Sequence, residues 1–274
     1  MKVEIATEPG TAGRANEDFA AAGPGVVVLL DGAGTPAGAE CGCEHGVAWF
    51  AAALGSGLLA EVVTRPDRAL TDCLADAIVR TAALHGDGCD LAHPGTPSAT
   101  VIAVRVTGEV LEYLVLADSV LLLEHTGGRA PVAVSDDRAG RVGVPLRGPV
   151  DALAAGTSEH TAALRSYVET LREHRNREDG FWVAAADPAA AYAALTGSVP
   201  LAELTGFTLL SDGASRLVDT FHRADWAQVA GLVRGEGPGS LIREVRACEL
   251  TDPEGRRHPR GKARDDATVV AVTI

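Results

Sequence analysis

Four acidic positions in the 274-residue chain share one local setting. Asp31 follows the apolar run Val-Val-Val-Leu-Leu and precedes Gly32, and Asp212 follows Phe-Thr-Leu-Leu-Ser and precedes Gly213. Asp118 stands between Glu-Tyr-Leu-Val-Leu-Ala and Ser-Val-Leu-Leu-Leu-Glu, and Asp265, with Asp266 after it, opens Ala-Thr-Val-Val-Ala-Val-Thr-Ile. A fifth acidic group, Glu17-Asp18, comes after Arg14 and Asn16 and just before a short strand-like run. Taken singly each is ordinary, since Asp-Gly after a strand is a standard turn signal. Recurrence changes the weighing, because unpaired carboxylates gathered at one sheet edge repel one another. Divalent cations resolve that conflict, and oxygen-only ligands suit Mg²⁺ or Mn²⁺ rather than Zn²⁺.

Other constellations carry less. The run from Asp31 through Gly32, Gly34 and Gly38 imitates a dinucleotide fingerprint, but its spacing is one residue off and no second strand follows that ends in an acid. Cys41-Gly42-Cys43-Glu44-His45 has soft-metal ligand types. With no second Cys/His cluster to complete it in sequence, its thiols are expected to pack near a helix start. Neither a Gly-x-Ser-x-Gly elbow nor a P-loop is present, which removes serine hydrolases and P-loop enzymes as leading readings. Trp49, Trp182 and Trp226 are expected to pack in the core.

The elements that must position the acids follow from short apolar runs. Strands are predicted over Lys2–Thr7, Gly25–Leu30, Thr100–Thr107, Glu109–Ala117, Val120–His125, Phe207–Leu210 and Ala267–Ile274, with a hairpin turn at Gly108. Ala-rich stretches predict helices over Glu44–Val63 and Pro66–His85, the proline suiting a first turn. Later helices are expected over Ser158–Arg175, Pro188–Leu195, Ala224–Arg234 and Ser240–Leu250. Strands joined by tight turns favour antiparallel sheets with helices on their outer faces, an α+β arrangement. Gly86–Ser98 and Gly127–Thr157 read as loops, the second long enough to be a mobile or substrate-contacting one. No linker composition divides the chain, so one domain over residues 1–274 is expected.

Hydrophobic content of 46% with 22% charged residues supplies a packed core and excludes disorder, and with aromatics at only 4% that core must be aliphatic. Net charge of −13 should repel phosphate backbones and anionic membranes, so neither nucleic acid nor lipid is the expected partner. Five cysteines, an odd number, do not form a secreted disulfide framework, and the apolar runs are too short or too charged to span a bilayer. A soluble, cytoplasmic monomer is expected.

Arg14-Ala-Asn-Glu-Asp18, Leu-Leu-Asp31-Gly-Ala-Gly, Ala-Asp118-Ser, Leu-Leu-Ser-Asp212-Gly-Ala-Ser and Arg-Asp265-Asp-Ala-Thr-Val-Val together resemble the metal-dependent PP2C (PPM) family of protein serine/threonine phosphatases. The set runs in the family's order from Arg14 to the last strand. The resemblance implies an α-β-β-α sandwich of two mainly antiparallel sheets flanked by helices. It also implies hydrolysis of phosphoserine or phosphothreonine in phosphorylated proteins by a water that two Mn²⁺ or Mg²⁺ ions activate, with a third, weaker ion possible. Carried over by position, Asp31 resembles the carboxylate that bridges the two core ions, and the Gly32 carbonyl resembles its backbone neighbour among the ligands. Asp212 and Asp265 resemble further ligands of the first, and Asp18, with Glu17 beside it, the acid near the second. Asp118 resembles a ligand of the third, and Arg14 the guanidinium that grips phosphate. The chain departs from the pattern in several places, and the Arg-Ala-Leu-Gly segment common upstream of the Asp212-type motif is missing. Arg14 lies one residue closer to Asp18, Ala117 replaces a glycine, and Ala33 stands where many eukaryotic members carry histidine. A non-catalytic phosphoprotein-binding module of the same fold, and a phosphatase of a small metabolite, are the competing readings.

Overall fold

Residues 1–35 and 41–274 are described by the structure, a computed structural model. Gly38 of the dinucleotide-like run lies outside them. Ten strands and eight α-helices follow in the order β1 (Lys2–Glu8), β2 (Asp18–Gly23), β3 (Val26–Ala33), α1 (Val47–Thr64), α2 (Leu70–Leu84), β4 (Ser98–Thr107), β5 (Val110–Leu116), β6 (Val120–His125), β7 (Val132–Val134), α3 (Arg138–Gly143), α4 (Gly148–Asp151), α5 (Ser158–Arg172), β8 (Leu195–Pro200), β9 (Leu204–Leu210), α6 (Asp212–Asp219), α7 (Trp226–Glu236), α8 (Pro238–Thr251) and β10 (Ala267–Thr273).

Two antiparallel sheets result, ordered β1-β10-β9-β6-β7 and β2-β3-β4-β5-β8. Side chains alternate across a strand, and the parity here assigns each residue to a layer. Val27 and Leu29 of β3, with Ile102 and Val104 of β4, meet Leu121, Leu123, Phe207, Leu209 and Val270 of the other sheet in a core between the sheets. The neighbours of opposite parity, Val28 and Leu30, turn to the other side and pack on Leu54, Leu58, Leu74 and Ile78 of α1 and α2. On the far side of the second sheet, Leu122, Leu210 and Val269 are covered by Leu217, Val229, Val233, Leu241 and Val245 of α6–α8. The layers are therefore helix, sheet, sheet, helix. A strand covered on both faces has to be apolar throughout, which is why β3 reads as an unbroken Val/Leu run.

Along its 18 residues α1 is apolar enough to pass for a membrane span, yet Phe50, Leu54, Leu58 and Val62 are buried against the sheet and α2. Its low polarity reflects a position inside the molecule.

Several expectations are corrected by the structure. Pro188–Ala193 is a 3₁₀ turn leading into the edge strand β8 rather than an α-helix. The stretch from Gly127 to Thr157 carries β7, α3 and α4 instead of running as one irregular loop. The segment after Asp212 is helical at once, with Ser211 at the N-cap.

Candidate metal centre

Antiparallel pairing sets the end of one strand beside the start of the next, and this brings the acids together. In the β2/β3 pair Asp18 stands directly opposite Asp31. In the β9/β10 pair Leu210, two residues before Asp212, stands opposite Val269, four residues after Asp265. The two sheets meet at this end. The backbone N–H of Asp212, in the first turn of α6, donates to Asp31 Oδ2 at 3.2 Å. A covalent link joins them there as well, because Ala117-Asp118-Ser119 carries the chain from β5 of one sheet to β6 of the other. Ser119 Oγ lies 2.6 Å from Thr100 Oγ1, which accepts the Asp31 N–H.

Neither Asp-Gly pair is a turn. Gly32 lies inside β3, where a Cβ would stand 2.6 Å from the Glu17 carbonyl oxygen and 2.6 Å from Val47 Cγ1. Gly213 lies in α6, where a Cβ would collide with the backbone oxygen of Asp266. Both glycines are needed for close approach, and the contacts they permit pull the Glu17-Asp18 and Asp265-Asp266 segments onto Asp31 and Asp212.

Asp31, Asp118, Asp212 and Asp265 line one cleft of ≈ 800 Å³, and Gly32 and Ala33 form part of its wall. Asp118 and Asp212 are open to solvent from the cleft side, whereas Asp31 is half-buried. Burial first, then the charges of Asp212, Asp18 and Asp265, push the Asp31 carboxyl well above the usual carboxylate range. Asp212 is raised by burial and by Asp265. Loss of hydration at the base of the cleft, and then the charge of Asp212, raise Asp118 to about 6. Asp18 is the most telling. Both its oxygens are buried with no hydrogen-bond partner within normal range among the described residues, although the hydroxyls of Thr268 and Ser211 face it. Burial, with Asp212 and Asp266 nearby, raises Asp18 to about 7. A carboxylate buried with empty lone pairs among other acids is costly unless a cation completes it. The donor set is all oxygen, and it fits hard divalent ions.

Glu17 is raised by burial, in part offset by Lys262. Its backbone carbonyl accepts the Gly32 N–H at 3.1 Å. Arg14 is exposed and lines a separate small depression with Gly10, Glu17, Arg264 and Asp266, not the cleft. Lys262 borders both.

Four groups were given no role in the sequence reading. Asp266 accepts from the backbone N–H of Gly10 at 2.7 Å and of Glu17 at 2.6 Å, so it anchors the segment leading into β2. Asp219, one face of α6 along from Asp212, lines the same cleft. Lys262 Nζ sits 2.6 Å from Asp265 Oδ1, and Arg216 donates to Asp265 Oδ2 at 2.9 Å. One signal for Lys262 was available: only Lys2 and Lys262 are lysines, in a chain with 24 Lys and Arg together.

The fold is shared with solved bacterial phosphatases. The serine/threonine phosphatase MsPP from Mycobacterium smegmatis, in complex with cacodylate, aligns with a TM-score of 0.58 and 18% identity over 100% of this chain and 98% of that one. Stp1 from Staphylococcus aureus aligns at 0.56 and 12% over 100% and 94%. The catalytic domain of the phosphatase PstP, in complex with two manganese ions, aligns at 0.54 and 15% over 99% and 97%. No curated protein matches the chain. The family model described as Protein phosphatase 2C matches residues 11–245, which span every strand but the first and last, and on that match the chain belongs to the protein phosphatase 2C family.

Proposed function

We propose that the protein hydrolyses phosphoserine or phosphothreonine in phosphorylated proteins and depends on Mn²⁺ or Mg²⁺ to do so. The observation that carries this reading is the meeting of Asp18, Asp31, Asp118, Asp212 and Asp265 from both sheets, with both Asp18 oxygens unpartnered. Asp31 would be shared between two core ions, with the Gly32 carbonyl, Asp212 and Asp265 completing one and Asp18 and Glu17 lying nearest the other. Asp118 would contribute to a third. Bound there, such ions supply a lowered pKa for water and positive charge for phosphoryl oxygens. The chain's own cations at the cleft are Arg147, Arg216, Arg260 and Lys262, and Arg14 lines the adjoining depression. Lys262 would steady a phosphate from the wall, with Arg14 gripping it from outside. Ala33 offers no proton, so the leaving alkoxide would take its proton from water in the cleft. A protein substrate is favoured over a small metabolite because Asp118 and Asp212 face open solvent rather than an enclosed pocket.

The test is release of phosphate from a phosphopeptide with and without Mn²⁺. Asp31→Asn should lower the rate at saturating Mn²⁺ by at least about 100-fold, in the range lost when a charge-stabilising group is removed from a reaction centre. Full activity in that variant would overturn the two-ion reading. Absence of Mn²⁺ binding by calorimetry would favour a non-catalytic phosphoprotein-binding module instead.

A further inference from the structure

The soft-ligand fragment at Cys43 and His45 is completed by the fold. Cys43, His45, His85 and Cys89 come together so that one ligand atom from each lies within 4.8 Å of all the others. The expectation that these thiols merely pack near a helix start rested on the missing second cluster. That second half comes from beyond α2, with His85 at its C-cap and Cys89 after one 3₁₀ turn.

We propose that Cys43, His45, His85 and Cys89 form a structural zinc site, separate from the acidic cleft. Cys89 Sγ stands 3.3 Å from His45 Nδ1, Cys43 Sγ stands 3.5 Å from His85 Nδ1, and Cys43 Sγ stands 3.9 Å from His45 Nδ1. Tetrahedral Zn²⁺, with bonds of about 2.3 Å to sulfur and about 2.0 Å to nitrogen, holds such ligand pairs about 3.6 Å apart. The observed spacings bracket that value, so little rearrangement is needed to admit the ion. All four positions are taken by protein, which is the pattern of a closed structural site. The ligand types also sort the cations. Two sulfurs and two imidazoles favour zinc, whereas the cleft offers oxygen alone.

The surrounding structure is built to hold the two halves in place. Asp90 N–H donates to the Gly42 carbonyl at 2.7 Å, just outside the ligands on both sides. Cys41 Sγ donates to the Cys43 carbonyl at 2.9 Å. His85 and Cys43 are buried, and the His45 ring stacks on Trp49 at 4.2 Å between centroids. The site would tie the entry to α1 to the exit from α2, clamping the helical hairpin that covers β3.

Cobalt substitution of the full chain is the direct test, because thiolate-to-Co²⁺ absorption cannot arise from the oxygen-only cleft. The protein, purified under reducing conditions without chelator, should carry zinc, and the Co²⁺ form should show tetrahedral thiolate bands. Asp31→Asn and Cys248→Ser should leave those bands intact. Cys89→Ser should weaken Co²⁺ binding at this site by at least about tenfold. Absence of thiolate bands in the unaltered protein with all five thiols free to titrate would overturn the proposal. So would a Cys43–Cys89 disulfide in the non-reduced peptide map of a metal-free chain. Both readouts use the unaltered protein, so a variant that fails to fold cannot mask the answer.

Discussion

Ala117 holds φ at +69° immediately before Asp118. A left-handed backbone costs an L residue about 1–2 kcal/mol, while exchanging the buried methyl for hydrogen loses about 0.8 kcal/mol of burial. Extra freedom of a glycine in the unfolded chain takes roughly another 0.5–1 kcal/mol. These terms nearly cancel, so Ala117→Gly is expected to leave stability within about 1 kcal/mol. Ala117→Val places a β-branched residue at positive φ and should lose about 2 kcal/mol or more in a urea titration. A second residue-scale expectation concerns Lys262, whose ammonium neutralises Asp265 at 2.6 Å. Burial alone would lower this ammonium, but Asp265, Asp212 and Asp31 outweigh it and hold the charge. A cation arriving at Asp265 must displace it. The Lys262 side chain is half exposed, so loss of the pair is worth about 1 kcal/mol and Lys262→Met should tighten Mn²⁺ binding about fivefold in calorimetry. Unchanged or weaker binding would show that Lys262 does not compete.

Among the elements, α8 contributes more than cover. Its Glu249 is buried between Arg216 of α6 at 2.8 Å and Arg246 at 2.9 Å, and Arg246 in turn holds Glu8 and the Asp265 backbone oxygen. The network fixes the start of β10 and hence Asp265. Glu249→Ala would leave two nearly buried guanidiniums facing each other. It should lose about 3–5 kcal/mol in chemical denaturation, the usual result of breaking a buried pair from one side. A loss below about 1 kcal/mol would mean that water already serves these groups. The sequence made the buried elements legible and the marginal ones not. β3, β4 and β6 show because strands covered on both faces must be apolar along most of their length. β7, three residues long, and β8, with glycine and proline at a sheet edge, carry no such pattern. α6 was hidden by its own Asp212-Gly213, which imitates a turn. The acids at strand ends could be found because they recur. His85 and Cys89 could not, since only the packing of α1 on α2 brings them to Cys43 and His45.

For the whole molecule, the raised carboxyls reverse the customary pH response of a metal-free chain. Asp18 goes from 3.8 to about 7 and Asp118 from 3.8 to about 6 on folding. Between those limits the folded chain keeps protons that the unfolded chain has released, so stability falls as pH rises. Mn²⁺ takes the place of those protons. The gap in Tm between the Mn²⁺-loaded and metal-free protein should therefore widen from about pH 5 to about pH 7. A metal-free Tm that climbs over that window would show the acids to be already neutralised within the chain. The placement of β10 between β1 and β9 has a consequence for biosynthesis. Until Ala267–Thr273 is free to pair, β1 and β9 have no common neighbour and Asp265 has no fixed place beside Asp212. A nascent polypeptide can thus carry all of its acids and still lack the assembled cleft, so the proposed hydrolysis would await pairing of the last strand.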